Sequence, residues 1–271
     1  MCNRTLFTAL LMCWAVAGCD DPRANCARVQ EPERAVRACT ALINSGRETK
    51  HTVAIALYNR GMAKNNEGKY EDAILDLTGA AKLNRDDAKI YFHRALASFS
   101  AGRTTDAIAD YTEALRLNPR YQLAFGRRAA AEVAQQHYPA AISDATEAVK
   151  INPEDDFAYA TRAAARYFMK DYSGSVSDFT EALRITPHDA TRYVARAWAY
   201  VGLLQTGAAL SDVDQAIKLA PDSASAHELR AYINRQLGRT EQAIADLRAA
   251  LRADPSREAI KEALLRLGVA P

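Results

Sequence analysis

Small and apolar positions recur along most of this chain at a fixed spacing of 34 residues. Rows begun at Ala54, Ala88, Gln122, Asp156, Ala190 and Ala224 run through Arg257 without an insertion, giving six rows. Position 8 is Gly61, Ala95, Ala129, Ala163, Ala197 and Ala231, and position 20 is Ala73, Ala107, Ala141, Ser175, Ala209 and Ala243. Position 27 is alanine in every row, and position 32 is proline in all but the first, where Arg85 stands. Small side chains permit close helix approach, and proline stops a helix. Between them apolar residues return at helical spacing, as in Ile74, Leu77 and Ala81 or Ile108, Tyr111 and Leu115. Each row therefore predicts two amphipathic helices that break near position 15, which is Gly68, Gly102, Gln136, Lys170, Leu204 and Gly238.

These rows resemble tetratricopeptide repeats, with the large-small-large pattern carried by Tyr91, Ala95, Ala107, Tyr111, Ala114 and Pro119. The resemblance implies an all-α, right-handed superhelical solenoid whose concave groove is lined by the first helix of each repeat. The expected divisions are repeats at 54–87, 88–121, 122–155, 156–189, 190–223 and 224–257, with a C-terminal capping helix at 258–271. Upstream, residues 19–53 hold a partial repeat: Ala35, Val36, Cys39, Leu42 and Ile43 copy a second helix, followed by the longer connection "GRETKHTV".

The first residues read differently. Arg4 precedes an apolar run from Leu6 to Gly18, and 13 such residues are too few to span a bilayer stably, so residues 1–18 read as a secretory signal. The stretch "VAGC" resembles a bacterial lipobox, which implies acylation of Cys19 and attachment to a membrane; an ordinary cleaved signal is the alternative. Cys2 and Cys13 leave with the signal, so Cys26 and Cys39 remain as an even pair, read as a disulfide in an oxidising compartment. Asp20 after the acylated cysteine favours the inner membrane in enteric bacteria, a rule too variable to choose between membranes.

Composition excludes some classes. The 271 residues are 49% hydrophobic and 25% charged, as in a folded protein, and the net charge of +2 gives no electrostatic case for nucleic acid. The five histidines are scattered without metal-ligand spacing, no phosphate loop or nucleophile elbow occurs, and the repeats leave no stretch for a catalytic domain. The expectation is neither enzyme nor cofactor nor metal.

Two columns carry charge in every row. Position 7 is Arg60, Arg94, Arg128, Arg162, Arg196 and Arg230, and position 23 is Asp76, Asp110, Asp144, Asp178, Asp212 and Asp246. Equal numbers in register predict a ladder of structural ion pairs, within or between repeats, rather than a cationic track for an anionic polymer.

Binding should reside in columns that vary. Carried over residue by residue, the family's groove positions give Tyr58, Met62, Phe92, Phe99, Tyr167, Phe168, Trp198 and Tyr232 as candidate contacts, aromatic residues being the type that anchors interfaces. Phe99 and Tyr167 stand at a position that also packs on the next repeat, so core is the competing assignment for them. The carboxylate clamp of chaperone-binding relatives is not implied, because position 5 holds Tyr58, Phe92, Gly126, Ala160, Val194 and Glu228 rather than Lys and Asn. The resulting expectation is a lipid-anchored, periplasm-facing adaptor that holds a protein or peptide in its groove, in envelope assembly or maintenance. The alternative is a soluble periplasmic scaffold that self-associates into a homo-oligomer.

Overall fold

The computed structural model describes residues 21–270, and all of its regular structure is α-helical. The segment read as a signal, residues 1–18, and Cys19 lie outside the described residues. The chain divides into two compact units, Met1–Asn118 and Pro119–Pro271. In the first, α1 (Pro22–Cys26) and α2 (Pro32–Asn44) precede the hairpins α3 (Lys50–Asn66) with α4 (Tyr70–Leu83) and α5 (Ala88–Ser100) with α6 (Thr104–Leu117). In the second, α7 (Gln122–Ala134) pairs with α8 (Tyr138–Ile151), α9 (Asp156–Phe168) with α10 (Tyr172–Ile185), α11 (Ala190–Gly202) with α12 (Thr206–Leu219) and α13 (Ala224–Gln236) with α14 (Thr240–Ala253). The last helix, α15 (Glu258–Arg266), packs on α14. No helix among the described residues is long and apolar enough to cross a membrane.

The helices meet where the small columns fall. Every alanine of positions 8, 20 and 27 is buried to 1% exposure or less. Gly61 fills position 8 of the first repeat because a Cβ there would lie 2.8 Å from Leu77 Cγ and 3.2 Å from the Ala73 carbonyl oxygen. Larger residues of position 24, including Leu77, Tyr111, Phe179, Val213 and Leu247, complete the packing.

Both turns are set by backbone geometry. Position 15 is left-handed in all six repeats, at φ between 60° and 77°. The next amide donates to the carbonyl five residues back, as from Lys69 to Lys64 at 2.9 Å, which closes each first helix in a Schellman motif. Glycine adopts this φ without steric cost; Gln136, Lys170 and Leu204 do not. At the other turn, Asn118, Asn152, Thr186, Ala220 and Asp254 precede prolines and are pushed out of the helical region. Asn84 precedes Arg85 and has the same geometry, φ −137° and ψ 95°, so the hairpin stacking imposes the bend even where proline is missing.

Two boundaries differ from the sequence reading. The first helix of the first repeat begins at Lys50, because Thr49 Oγ1 accepts the Thr52 amide at 3.1 Å and caps it. The 53/54 division therefore falls inside α3, and the connection from α2 is shorter than "GRETKHTV" suggests. The capping segment is helical only to Arg266.

Cys26 and Cys39 are bonded and almost fully buried, tying α1 to α2. The Arg and Asp columns meet within each repeat. From Arg60 to Arg196, Nε and Nη2 each donate to one oxygen of the Asp on the paired helix, at 2.6–2.9 Å. Arg230 reaches Asp246 at 2.6 Å. The carboxylates are buried and the guanidinium groups half-buried, so the paired geometry is what makes the burial tolerable.

Further contacts extend the ladder. Nη1 of Arg94, Arg162 and Arg196 donates to Thr78, Thr146 and Thr180 of the preceding repeat, at 3.3, 3.1 and 3.0 Å. Arg60 does the same to Thr40 of the cap, and Arg230 to Asp214. Tyr91, Phe125, Tyr159 and Tyr193, one turn before each arginine, present their rings to the guanidinium at 5.4–5.9 Å. The pair thus braces a hairpin, and its third donor fastens that hairpin to its neighbour.

Candidate functional site

In the second unit the first helices of consecutive repeats leave an apolar pocket of about 340 Å³ between α9 and α11. It is lined by Ala164, Tyr167, Phe168, Phe179, Ala195 and Trp198. Alanines at positions 6 and 9 create the space, since a larger side chain at Ala164 or Ala195 would fill it. Phe179, 5% exposed, is its floor.

The rim is aromatic. Phe168 is 55% exposed, its ring stacked on Tyr138 at 5.2 Å and edge-on to Tyr167 at 5.6 Å. Trp198 and Tyr232 are 36% and 40% exposed, with ring centroids 5.6 Å apart, which extends the surface onto α13. Burial first, and the neighbouring Tyr172 and Tyr232 second, push the Tyr167 phenol above its ordinary range, so the hydroxyl stays protonated and can donate. Gly202, at the end of α11, lies under the Tyr172 ring, where a Cβ would approach to 2.7 Å.

Of the candidate contacts, Tyr167, Phe168, Trp198 and Tyr232 therefore form one continuous surface. The candidates in the first unit do not all face solvent. Phe92 is a correction to the sequence reading: it is 5% exposed and packed between His93 and Tyr111, with ring centroids at 5.2 and 5.8 Å, so it cannot meet a ligand. Tyr58 is half-buried, packed on two core clusters and edge-on to His93 at 5.4 Å. Met62 is half-buried on α3, and Phe99 is exposed at 37% on α5.

The face carries fixed charge at its margins. Arg127 lies over the Phe157 ring at 4.2 Å and remains exposed, as does Arg235 one turn beyond Tyr232. The acids nearby are engaged: Asp156 by Arg192 at 2.6 Å, Glu228 by Arg257 at 2.5 Å, Glu132 by His137 at 2.7 Å. Asp155 accepts the amides of Phe157 and Ala158 as the cap of α9 and a bond from Gln122. Among the described residues no group of three or more His, Cys, Asp or Glu is arranged to hold a metal ion.

Comparison with known proteins agrees with this architecture. Residues 58–122 and 194–258 match the tetratricopeptide repeat family model. No curated protein matches the chain in sequence. A tetratricopeptide repeat protein from Parabacteroides merdae superposes with a TM-score of 0.68 at 23% identity, over 86% of this chain and 91% of that one. PilF of Pseudomonas aeruginosa gives 0.68 at 16% identity, over 81% of this chain and all of its own. YrrB, described as a tetratricopeptide protein with an unusual peptide-binding site, gives 0.56 at 18% identity, over 69% and 96%. These likenesses establish the fold: an all-α array of tetratricopeptide hairpins.

Proposed function

We propose that this protein is an adaptor that captures a protein or peptide partner on the groove face of its second unit. The observation that carries the reading is the pocket walled by Tyr167, Phe168 and Trp198, continued by Tyr232. Large apolar rings left in solvent around an open pocket cost hydration that only a ligand recovers, and aromatic anchors are the usual centres of interface energy. The peptide-binding site attributed to YrrB is consistent with such use of the fold.

The protein works at the cell envelope, facing the periplasm and held by acyl chains on Cys19, in assembly or maintenance of that envelope. Two features favour this placement: the "VAGC" stretch after a short apolar run, and a buried cystine of the kind that persists in oxidising compartments. Crosslinking in intact cells tests the groove assignment: wild type should yield a discrete adduct that the Phe168→Ala, Trp198→Ala double variant loses while keeping its helical circular dichroism. Undiminished adducts would defeat it. Labelling with an alkynyl fatty acid tests the anchor, and signal that survives Cys19→Ala would exclude acylation at that residue.

A further inference from the structure

We infer that the Cys26–Cys39 cystine is a redox-operated clasp that fixes where the chain enters the fold. With the sulfurs joined, residues 21–31 lie against α2 and α3; with both thiols reduced, that segment detaches and becomes tether. The release itself is independent of the groove reading, and only its consequence for a membrane anchor rests on acylation of Cys19.

Without the cystine little holds α1 in place. It has five residues, too few to persist as an isolated helix. Its buried residues are Asn25 and Cys26, so the one apolar side chain it contributes to the core is half of the cystine. Pro22, Arg23, Ala24, Ala27 and Arg28 are exposed, and Val29 is half-buried. Polar contacts to the rest of the unit include Arg23 with Glu48 at 2.8 Å, where Arg23 is 66% exposed, and an exposed bond from Asn66 to the Val29 carbonyl at 3.1 Å. Exposed pairs of this kind contribute little, whereas ordering the segment costs conformational entropy at every residue. The covalent bond therefore decides whether α1 stays.

α2 is held differently. Ala35 and Leu42 are buried, and Arg60 of α3 donates to Thr40 at 3.0 Å, which makes α2 the first rung of the arginine ladder. Release ends where α2 begins.

Closing the clasp requires an oxidised disulfide carrier. One cysteine loses its proton and attacks the carrier's disulfide, a mixed disulfide forms, and the second thiolate displaces the carrier. The carrier leaves as a dithiol, having taken two electrons and the two protons. Opening is the reverse exchange with a dithiol. Once closed, the cystine is shielded, Cys26 being 2% exposed and Cys39 0%, so an attacking thiolate reaches it only as α1 frays.

Cys19 stands two residues before Asp21 and thirteen before Pro32. Fully extended, those lengths span about 7 Å and about 45 Å. With Cys19 acylated, the closed clasp keeps the first unit close to the bilayer, and opening it multiplies the reach of the fold from its anchor.

Limited trypsin digestion of the purified protein tests the release, with cleavage sites mapped by mass spectrometry after full reduction. Reduction of the wild type with dithiothreitol, or Cys26→Ser without reductant, should speed cleavage after Arg23 and Arg28 by about tenfold or more and leave cleavage in α5 to α14 unchanged. Unaltered cleavage after Arg23 and Arg28 in both cases would overturn the clasp, and so would equal acceleration throughout the chain. The digestion reads the release whether or not Cys19 carries lipid, so failure of the clasp and failure of the anchor are separate results.

Discussion

Arg162 grips both carboxylate oxygens of Asp178, at 2.9 and 2.7 Å, and the Asp is only 4% exposed. Its third nitrogen donates to Thr146 of the preceding repeat at 3.1 Å, and Arg166 adds a second cation to the same carboxylate at 2.9 Å. Removing Arg162 would leave Asp178 buried with one weaker partner. We predict that Arg162→Ala costs about 3 kcal/mol, and that Thr146→Val costs about 1 kcal/mol. Urea denaturation measures both; a wild-type midpoint for Arg162→Ala would show that the ladder does not brace the hairpins.

The left-handed turn offers a test of opposite sign. Leu204 is 88% exposed at φ 60°, where the first, second and sixth repeats place glycine. Leu204→Gly loses no buried contact and relieves the strain, so stability should rise by about 1 kcal/mol. Gly102→Leu should lower it by at least as much, as read from the same denaturation curves.

His93 gives the protein a pH dependence. Burial, opposed by Asp87 and aided by Lys89, lowers its pKa from 6.5 to about 4. Above pH 6.5 the ring is neutral in folded and unfolded chains and contributes nothing to the balance. Below it the unfolded chain binds a proton that the fold refuses until about pH 4, so stability falls across that window by up to about 3 kcal/mol. Melting between pH 7 and pH 4.5 should show a slope that His93→Phe flattens; a parallel curve for the variant would contradict the burial account.

Cys26 and Cys39 are separated by 13 residues and close the helices that cover α3. Reduction should destabilise the cap by about 3 kcal/mol on the chain-entropy estimate. Hydrogen exchange should then accelerate in residues 22–44 and stay unchanged in α13 and α14. Uniform loss of protection would mean that the chain unfolds as one cooperative body.

The 34-residue period is legible because small residues and prolines sit at packing contacts that repeat identically, and the Arg and Asp columns are legible because both charges are invariant across the rows. Other features escape sequence reading for physical reasons. The bond from arginine to Thr78, Thr146 or Thr180 joins residues 16 apart whose types are ordinary on a helix surface. The left-handed residue can be read from Gly68 or Gly102, but Gln136, Lys170 and Leu204 hide it because stacking overrides their preference. Phe92 is aromatic like Tyr167 and Phe168 but stands at a different position of its row, and its burial against His93 and Tyr111 is visible only in the packing. Within the site, the exposed aromatics were visible as a set, whereas the pocket depends on the absence of bulk at Ala164 and Ala195, which no single column announces.

The central claim is that a partner is held on the groove face of the second unit. A photoreactive phenylalanine analogue placed singly at Phe168, Trp198 and Tyr232, and at the exposed Ser143 on α8 as a control, reads this directly in cells. The account predicts one common adduct from the three groove positions and none from Ser143; adducts from Ser143 alone, or different adducts at each groove position, would contradict it.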